Sequence, residues 1–285
     1  MQRILVATDF SGDSINALEH AVLWANRLNC HLRLIHVMKN VKFDIPGLFS
    51  RSDGINQQES SEMLDKMLHR YKESYQVKEG EFDFYLTEGK PYQQIISYAL
   101  EIDAKFIVVG THGVSGFEEY FLGSNAFRVV SKSPIPVLTI RHGFPRVVPL
   151  KIVLPIDITN QSRQKVPFVA ELAQAFGSVV HIVGVRETDT TEVVYRVAQY
   201  VTQVEEFMKL RDIPYVSTIV NGGNITQLTI QYAKMIDADL ISIMTEQTER
   251  PENLWMGPYA EQMVNNSPIP VLSMEPANLT DVNKV

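Results

Sequence analysis

Cysteine is almost absent from this 285-residue chain, which contains only Cys30. A single cysteine cannot close an intrachain disulfide, so a disulfide-stabilised scaffold is excluded. The sequence also lacks an apolar run of the roughly 18–20 residues that a membrane-spanning helix needs. Its first residues have the pattern of a strand rather than of a charged segment, an apolar segment and a cleavage site, so no secretory signal is expected. The cytoplasm is therefore the expected compartment.

An excess of positive charge is missing as well. The chain has 26 Lys and Arg against 33 Asp and Glu, with a net charge of −7 and a pI of about 5.5. Proteins that bind DNA or RNA usually carry a basic face, so a nucleic-acid partner is disfavoured. The acidity is uneven, because residues 1–148 hold 16 basic and 17 acidic residues, whereas residues 149–285 hold 10 and 16.

The chain contains an internal repeat. Residues 3–11 match residues 151–159, and the segment Ser-Pro-Ile-Pro-Val-Leu at 133–138 recurs unchanged at 267–272. Between 102 and 140, 15 of 39 positions are identical to those 134 residues further on. The length, about twice that of a typical domain, agrees with two copies of one domain. We expect the first copy at 1–142 and the second at 149–276, with 14 residues of the loop near 39–57 missing from the second copy.

Each copy has the pattern of alternating strands and helices. Short apolar runs, typical of strands buried on both faces, predict strands near 3–8, 31–37, 82–87, 105–110 and 136–140. The segments between them have helical periodicity. This alternation predicts an α/β protein with two tandem, doubly wound parallel sheets of five strands each.

Apolar spacing predicts which helix faces are buried. The first helix has an apolar face of Ile15, Leu18, Val22 and Ala25, with Ser11 or Asp13 as its N-cap. The second is expected to bury Met63, Met67, Tyr71 and Tyr75, and the third Ile95, Ala99 and Ile102. A fourth begins near Ser124. In the second copy Pro167 falls within the first helix, which is therefore expected to kink or start there.

Candidate ligand groups follow the strands at their carboxyl ends, where open α/β sheets bind ligands. Asp9 follows the first strand and is suited to hydroxyl groups or a divalent ion. Gly110 and Gly113 permit positive φ and close approach of backbone N–H groups to an anion. Gly123 and Ser124 begin a helix, where the dipole favours negative charge. These features favour a phosphate ligand, although a glycine-rich turn can also be purely structural.

Other chemistry finds little support in the sequence. There is no phosphate-binding P-loop, no Gly-x-Gly-x-x-Gly after the first strand and no Gly-x-Ser-x-Gly nucleophile elbow. The seven histidines include no i, i+4 pair, so no metal ligands are predicted. Cys30 is expected to be a small core residue. No catalytic residue is predicted, and without a base to activate water beside the phosphates, fast hydrolysis is not expected.

The chain resembles the universal stress proteins. The resemblance rests on the opening Ile-Leu-Val-Ala-Thr-Asp-Phe-Ser at 4–11, the spacing Gly110-x2-Gly113-x9-Gly123-Ser124 and the ending Ser-Pro-Ile-Pro-Val-Leu, and it covers both repeats. It implies a Rossmann-like fold and an ATP site, with or without Mg²⁺, in the first repeat. By analogy Ala7 lines the base pocket, Asp9 contacts the nucleoside and Val37 holds adenine through its backbone. The full predicted site comprises Ala7, Thr8, Asp9, Val37, Gly110, His112, Gly113, Gly123, Ser124 and Asn125.

The second repeat departs from the ATP-binding pattern. Met244 replaces Gly110, Gln247 replaces Gly113 and Pro258 replaces Ser124. Within the glycine signature, only Gly123 has an identical counterpart, Gly257. Proline removes an N–H group and a hydroxyl. Glu246 and Glu249 add negative charge, Trp255 fills space, and Asp157 alone can serve as a helix cap. The second repeat is therefore predicted to bind no ATP in this manner.

The resemblance also implies an assembly. The last strands of the two repeats are expected to pair across a two-fold axis, which gives an internal pseudo-dimer and leaves a further homodimer open. The implied function is a nucleotide-dependent regulator in the stress response, with no membrane partner. The alternatives are a scaffold of the same fold that binds no nucleotide, and an adenylating enzyme, which would need an additional acceptor domain.

Overall fold

The computed structural model describes residues 2–38, 57–75, 82–111, 123–245, 247–248 and 255–276. Ten of its strands form one sheet; they are β1 (Arg3–Thr8), β2 (His31–Met38), β3 (Phe82–Glu88), β4 (Ala104–Gly110), β5 (Val137–Ile140), β6 (Lys151–Ile156), β7 (Val179–Arg186), β8 (Tyr215–Asn221), β9 (Leu240–Met244) and β12 (Val271–Met274). A separate two-stranded ribbon consists of β10 (Gln247–Thr248) and β11 (Trp255–Met256). The predicted strands of the first repeat are confirmed to within one residue at each end.

Eight helices flank the sheet within the described part of the chain. They are α1 (Gly12–Leu28), α2 (Gln57–Tyr75), α3 (Pro91–Glu101), α4 (Ser124–Lys132), α5 (Val166–Phe176), α6 (Thr191–Lys209), α7 (Ile225–Met235) and α8 (Pro258–Asn266). One core face contains side chains of α1, α2, α5 and α6, and the other contains side chains of α3, α4, α7 and α8. Both core clusters draw residues from the two repeats.

The strand order is β3-β2-β1-β4-β5-β12-β9-β6-β7-β8. Within each repeat the strands are parallel, whereas β5 and β12 are antiparallel, with Leu138 opposite Leu272. The α/β class is confirmed, and so is the predicted pairing of the last strands. The two five-stranded halves therefore form one continuous sheet. Because β5 and β12 are antiparallel, the strands of one repeat run in the opposite direction to those of the other, and their carboxyl ends lie at opposite edges of the sheet.

Local sequence explains how the first helices begin and end. Ser11 is the N-cap of α1, and its Oγ accepts a bond from the Ser14 N–H at 3.3 Å. Asn29 ends α1 in the left-handed conformation. In the second repeat a 3-10 turn, Gln161–Arg163, comes first, and α5 begins only at Val166, immediately before Pro167. The expected effect of this proline on the start of the helix is confirmed.

The predicted inner face of α2 is partly wrong. Met63 is 37% exposed, whereas Leu64 is fully buried and Tyr71 is buried as expected. The buried face is displaced by one residue, so that Leu64 and Leu68 enter the core and Met67 packs at its margin. The side chain of Tyr75 lies outside the described part of the chain, as does the loop at 39–56.

Candidate functional site

The end of β1 turns directly into α1 through a hydrogen-bonded carboxylate. Oδ1 of Asp9 accepts bonds from the N–H of Ser11 at 3.1 Å and from its Oγ at 2.5 Å. The second repeat has the same turn, in which Oδ1 of Asp157 accepts from the N–H of Thr159 at 2.7 Å and from its Oγ1 at 2.5 Å. The carboxylate thus shapes the helix start in both repeats, so Asp9 alone does not distinguish a ligand site.

The ends of β1 and β2 are joined by a buried histidine. Nδ1 of His36 donates to the carbonyl oxygen of Thr8 at 2.8 Å. The ring of Phe10, whose φ is 64°, lies 4.5 Å from that of His36, measured between centroids. Ala7 and Val37, the predicted contacts of the base, lie half-buried on β1 and β2 next to this group. The second repeat has Gly184 at the position of His36, and Ile158 at that of Phe10 lacks the positive φ.

Gly110 ends β4 against the first turn of α1. A Cβ added to Gly110 would lie 2.7 Å from both the carbonyl carbon and the carbonyl oxygen of Asp13. Gly110 does not have the positive φ that was expected of it. Its small size is needed within the protein, because any side chain would push α1 away from the sheet. In the second repeat Met244 occupies this position and a 3-10 turn replaces the start of α1.

The N-terminus of α4 lies at the same edge of the sheet. Gly123 is its N-cap, with no side-chain cap, and the Gly123 N–H donates to the carbonyl oxygen of Thr111 at 2.6 Å. Ser124 and Asn125 form the first turn and are exposed. The N–H groups of a first turn have no acceptor within their own helix. The predicted residues His112 and Gly113 lie outside the described part of the chain, as do Glu246 and Glu249.

Three cations on or beside α3 and α4 were missed by sequence analysis, and two of them lie over one aromatic ring of α3. The guanidinium of Arg128 and the ammonium of Lys132 lie 5.4 and 5.7 Å from the ring centroid of Tyr92, and the exposed Lys90 is the N-cap of α3. We call Lys90, Arg128 and Lys132 the α3–α4 cations. Arg128 is one helical turn from Ser124 on the same face of α4.

The α3–α4 cations have neutral counterparts in the second repeat. The offset of 134 residues aligns them with Asn224, Gln262 and Asn266. Nδ2 of Asn224 donates to Oε1 of Gln262 at 2.8 Å, so two amides bond each other where the first repeat has two cations. Comparing the repeats position by position would have revealed this difference from sequence.

The corresponding edge of the second repeat differs in two further ways. Pro258 is the first residue of α8, as the alignment predicted, and takes one N–H away from its first turn. Lys165, at the position of Ala17, is fully buried, and its Nζ donates to the carbonyl oxygen of Ser162. Burial lowers the pKa of Lys165 to about 8, although the nearby Asp157 carboxylate opposes this shift. The interior of the second repeat thus already holds a cation beside its aspartate.

Cys30 is a buried core residue, as predicted, and burial raises the pKa of its thiol. Among the residues that the structure describes, no three His, Cys, Asp or Glu side chains are grouped so that they could hold a metal ion. No helix in that part of the chain has the length and apolar character to cross a membrane.

Comparisons with known proteins agree with this architecture. A model of the universal stress protein family matches residues 1–141 and 150–273. Universal stress protein YxiE of Bacillus subtilis is 32% identical over 146 residues, covering 49% of this chain and 98% of that protein. A universal stress protein of Methanocaldococcus jannaschii is 30% identical over 143 residues, covering 49% and 82%. A solved universal stress protein from Archaeoglobus fulgidus matches the fold with a TM-score of 0.71 and 17% identity, covering 96% of this chain and 98% of that one.

Proposed function

The chain belongs to the universal stress protein family, and we propose on that premise that its first repeat binds ATP or a related adenine nucleotide while its second repeat does not. The observation that carries this proposal is the contrast between α4 and α8. The first turn of α4 begins with Ser124, and Arg128 is one turn away, whereas α8 has proline and glutamine at these positions. Anionic groups are stabilised at a helix N-terminus and beside cations.

The nucleotide is proposed to lie along the carboxyl edge of the first repeat's strands. In the proposed arrangement the backbone of Val37 holds adenine beside Ala7, and Asp9 and Gly110 flank the ribose, next to Thr8. The phosphates lie against the first turn of α4, near the residues that precede it in the glycine-rich loop. The proposed phosphate contacts are His112, Gly113, Gly123, Ser124 and Asn125. Binding and orientation of the nucleotide are all that these residues are proposed to supply.

The proposed biological role is that of a nucleotide-dependent regulator in the cytoplasmic stress response. In this proposal the first repeat binds nucleotide and the second does not, so only one half of the chain responds directly to the nucleotide. The second half shares the sheet with the first through β5 and β12. A change in the first repeat therefore has a continuous path to the second.

Mass spectrometry of small molecules released from freshly purified protein tests the proposal. We expect ATP or ADP at close to one molecule per chain after denaturation. Protein stripped of ligand should regain it on incubation with ATP, and a Ser124→Pro variant should regain much less at the same ATP concentration. If no nucleotide is released and stripped protein takes up none, the proposal is wrong and the scaffold interpretation stands.

A further inference from the structure

The junction between the repeats begins with an arginine that binds the second repeat. Nε of Arg141 donates to the carbonyl oxygen of Ser267 at 2.6 Å, and Nη2 donates to that of Val264 at 3.2 Å and to that of Asn265. These carbonyls belong to the last turn of α8 and the residue that follows it. The last carbonyl oxygens of a helix receive no hydrogen bond from an N–H group of the same helix. A cation placed there can donate to them and also complements the helix dipole. Arg141 therefore caps the C-terminus of α8.

The same junction holds the start of α1 in the first repeat. Nδ2 of Asn16 donates to the carbonyl oxygen of Arg141 at 3.0 Å, and Nδ1 of His142 donates to the carboxylate of Asp13. Asp13 is buried, whereas the side chain of His142 is 78% exposed. Since the backbone of Asp13 packs on Gly110, the junction fixes the turn that borders the proposed nucleotide site.

The sheet topology explains why these groups meet. β5 is antiparallel to β12, so the carboxyl edge of the first repeat lies on the same side as the amino edge of the second. The C-terminus of α8, which precedes β12, is therefore next to the start of α1. At the opposite edge Glu275 and Pro276 align with Arg141 and His142, so neither the guanidinium nor the imidazole recurs at these positions. The contacts of Arg141 and His142 thus lie beside the repeat that retains the glycine signature.

We propose that Arg141 and His142 are positioning residues for the nucleotide site of the first repeat, and that through Arg141 this site is coupled to the C-terminus of α8 in the second repeat. The inference rests on the proposed nucleotide binding. A ligand held between Asp9 and Gly110 favours the arrangement in which α1 is seated against the sheet. That arrangement also favours the hydrogen bonds from Arg141 to the C-terminus of α8. The cap has two states, formed and lost, and in this proposal both the nucleotide site and the end of α8 shift the balance between them.

Hydrogen exchange of the full chain, with and without ATP, tests the coupling. In the wild type we expect saturating ATP to slow exchange of the amides in the last turn of α8 at least threefold. Arg141→Met keeps the apolar stem and removes every donor. It should abolish this slowing and weaken ATP binding three- to tenfold, because coupling between two sites is reciprocal. Arg141→Lys should restore part of both effects. Arg196→Met, which removes an exposed arginine of α6, is the matched control and should change neither.

The outcomes separate the two proposals. If calorimetry detects no ATP binding to the wild type, the proposed function is wrong, and the coupling with it. If ATP binds but exchange in α8 is unchanged, only the coupling is wrong. Should Arg141→Met fail to fold, His142→Ala provides the second variant, because it changes an exposed side chain and leaves the α8 cap intact. It should weaken ATP binding two- to fivefold, and unchanged affinity would contradict its positioning role.

Discussion

Lys165 carries an ammonium group into the interior of the second repeat, where the first repeat has Ala17. Its Nζ donates to the carbonyl oxygen of Ser162, and the nearby Asp157 carboxylate offsets part of the cost of burial. The burial cost is the larger of the two, because the pKa of Lys165 falls from 10.5 to about 8. The protonated form of Lys165 is therefore disfavoured in the folded chain relative to the unfolded chain.

This pKa gives the second repeat a pH-dependent stability. Between pH 8 and 10.5 the unfolded chain binds more protons at Lys165 than the folded chain does, so stability rises with pH across this window. The shift corresponds to about 3 kcal/mol. Urea unfolding of Lys165→Met should lack this gain and show higher stability than the wild type at pH 7. The exposed Lys234→Met is the control. A wild type and Lys165→Met with parallel pH profiles would show that the ammonium is not buried.

Gly110 was predicted from sequence as a glycine of the ligand site, and the structure adds a packing role. Its position at the carboxyl end of β4 indicated close approach of an anion, yet the space beside its Cα is filled by the backbone of Asp13. A glycine needed for packing between a strand and a helix has the same sequence signature as one needed for a ligand. Only the three-dimensional neighbours distinguish the two roles.

Gly110→Ala should therefore act on both stability and binding. The added methyl group must displace the start of α1, and overpacking of this kind costs about 1–3 kcal/mol. Nucleotide affinity should fall in parallel, because Asp9 moves with α1. The control is Gly12→Ala, since a Cβ at Gly12 meets nothing within 4 Å. Thermal unfolding and ATP titration measure both effects, and a Gly110→Ala protein as stable as Gly12→Ala would refute the packing role.

At the scale of elements, the strands were the most predictable part of the molecule. Each is a short apolar run bounded by polar or turn-forming residues, so its limits are local properties of the sequence. The buried face of α2 was less predictable, because Met63 and Leu64 are both apolar and only the position of the sheet decides which of them enters the core. The α3–α4 cations were missed for a related reason, since they come from two separate helices.

The first turn of α4 can be tested without breaking the helix. Ser124→Pro copies Pro258 of α8, and proline is well tolerated as the first residue of a helix. The protein should fold with nearly unchanged stability, but ATP affinity should fall at least about tenfold, because one N–H and one hydroxyl are lost at the phosphates. Circular dichroism checks the fold and calorimetry the affinity. The reverse change, Pro258→Ser, should not create a second site while Met244 remains.

We predict that Arg128 contributes more to the binding of ATP than to the binding of AMP. Arg128→Gln copies Gln262 and removes the cation one turn from Ser124. We expect ATP binding to weaken about tenfold or more, as for one charge-assisted hydrogen bond, and AMP binding to change less than twofold. Lys132→Asn, which copies Asn266 a further turn along α4, is the matched control with a smaller effect. Equal losses for ATP and AMP would show that Arg128 does not face the outer phosphates.

At the scale of the whole molecule, the repeat determines the architecture. Matching segments at two offsets predicted two copies of one fold, and the family resemblance predicted the pairing of the last strands. The antiparallel register of β5 and β12 places the two carboxyl edges on opposite sides of one sheet. The contacts of Arg141 with α8 were beyond prediction, because they depend on which helix end this register brings to the junction.

The stoichiometry of ATP binding to the stripped full-length chain, measured by titration calorimetry, tests the central claim most directly. One ATP per chain is expected for the wild type, with at least about tenfold weaker affinity for Ser124→Pro. A stoichiometry of two would contradict the loss of the site in the second repeat, and the absence of binding would contradict the site in the first.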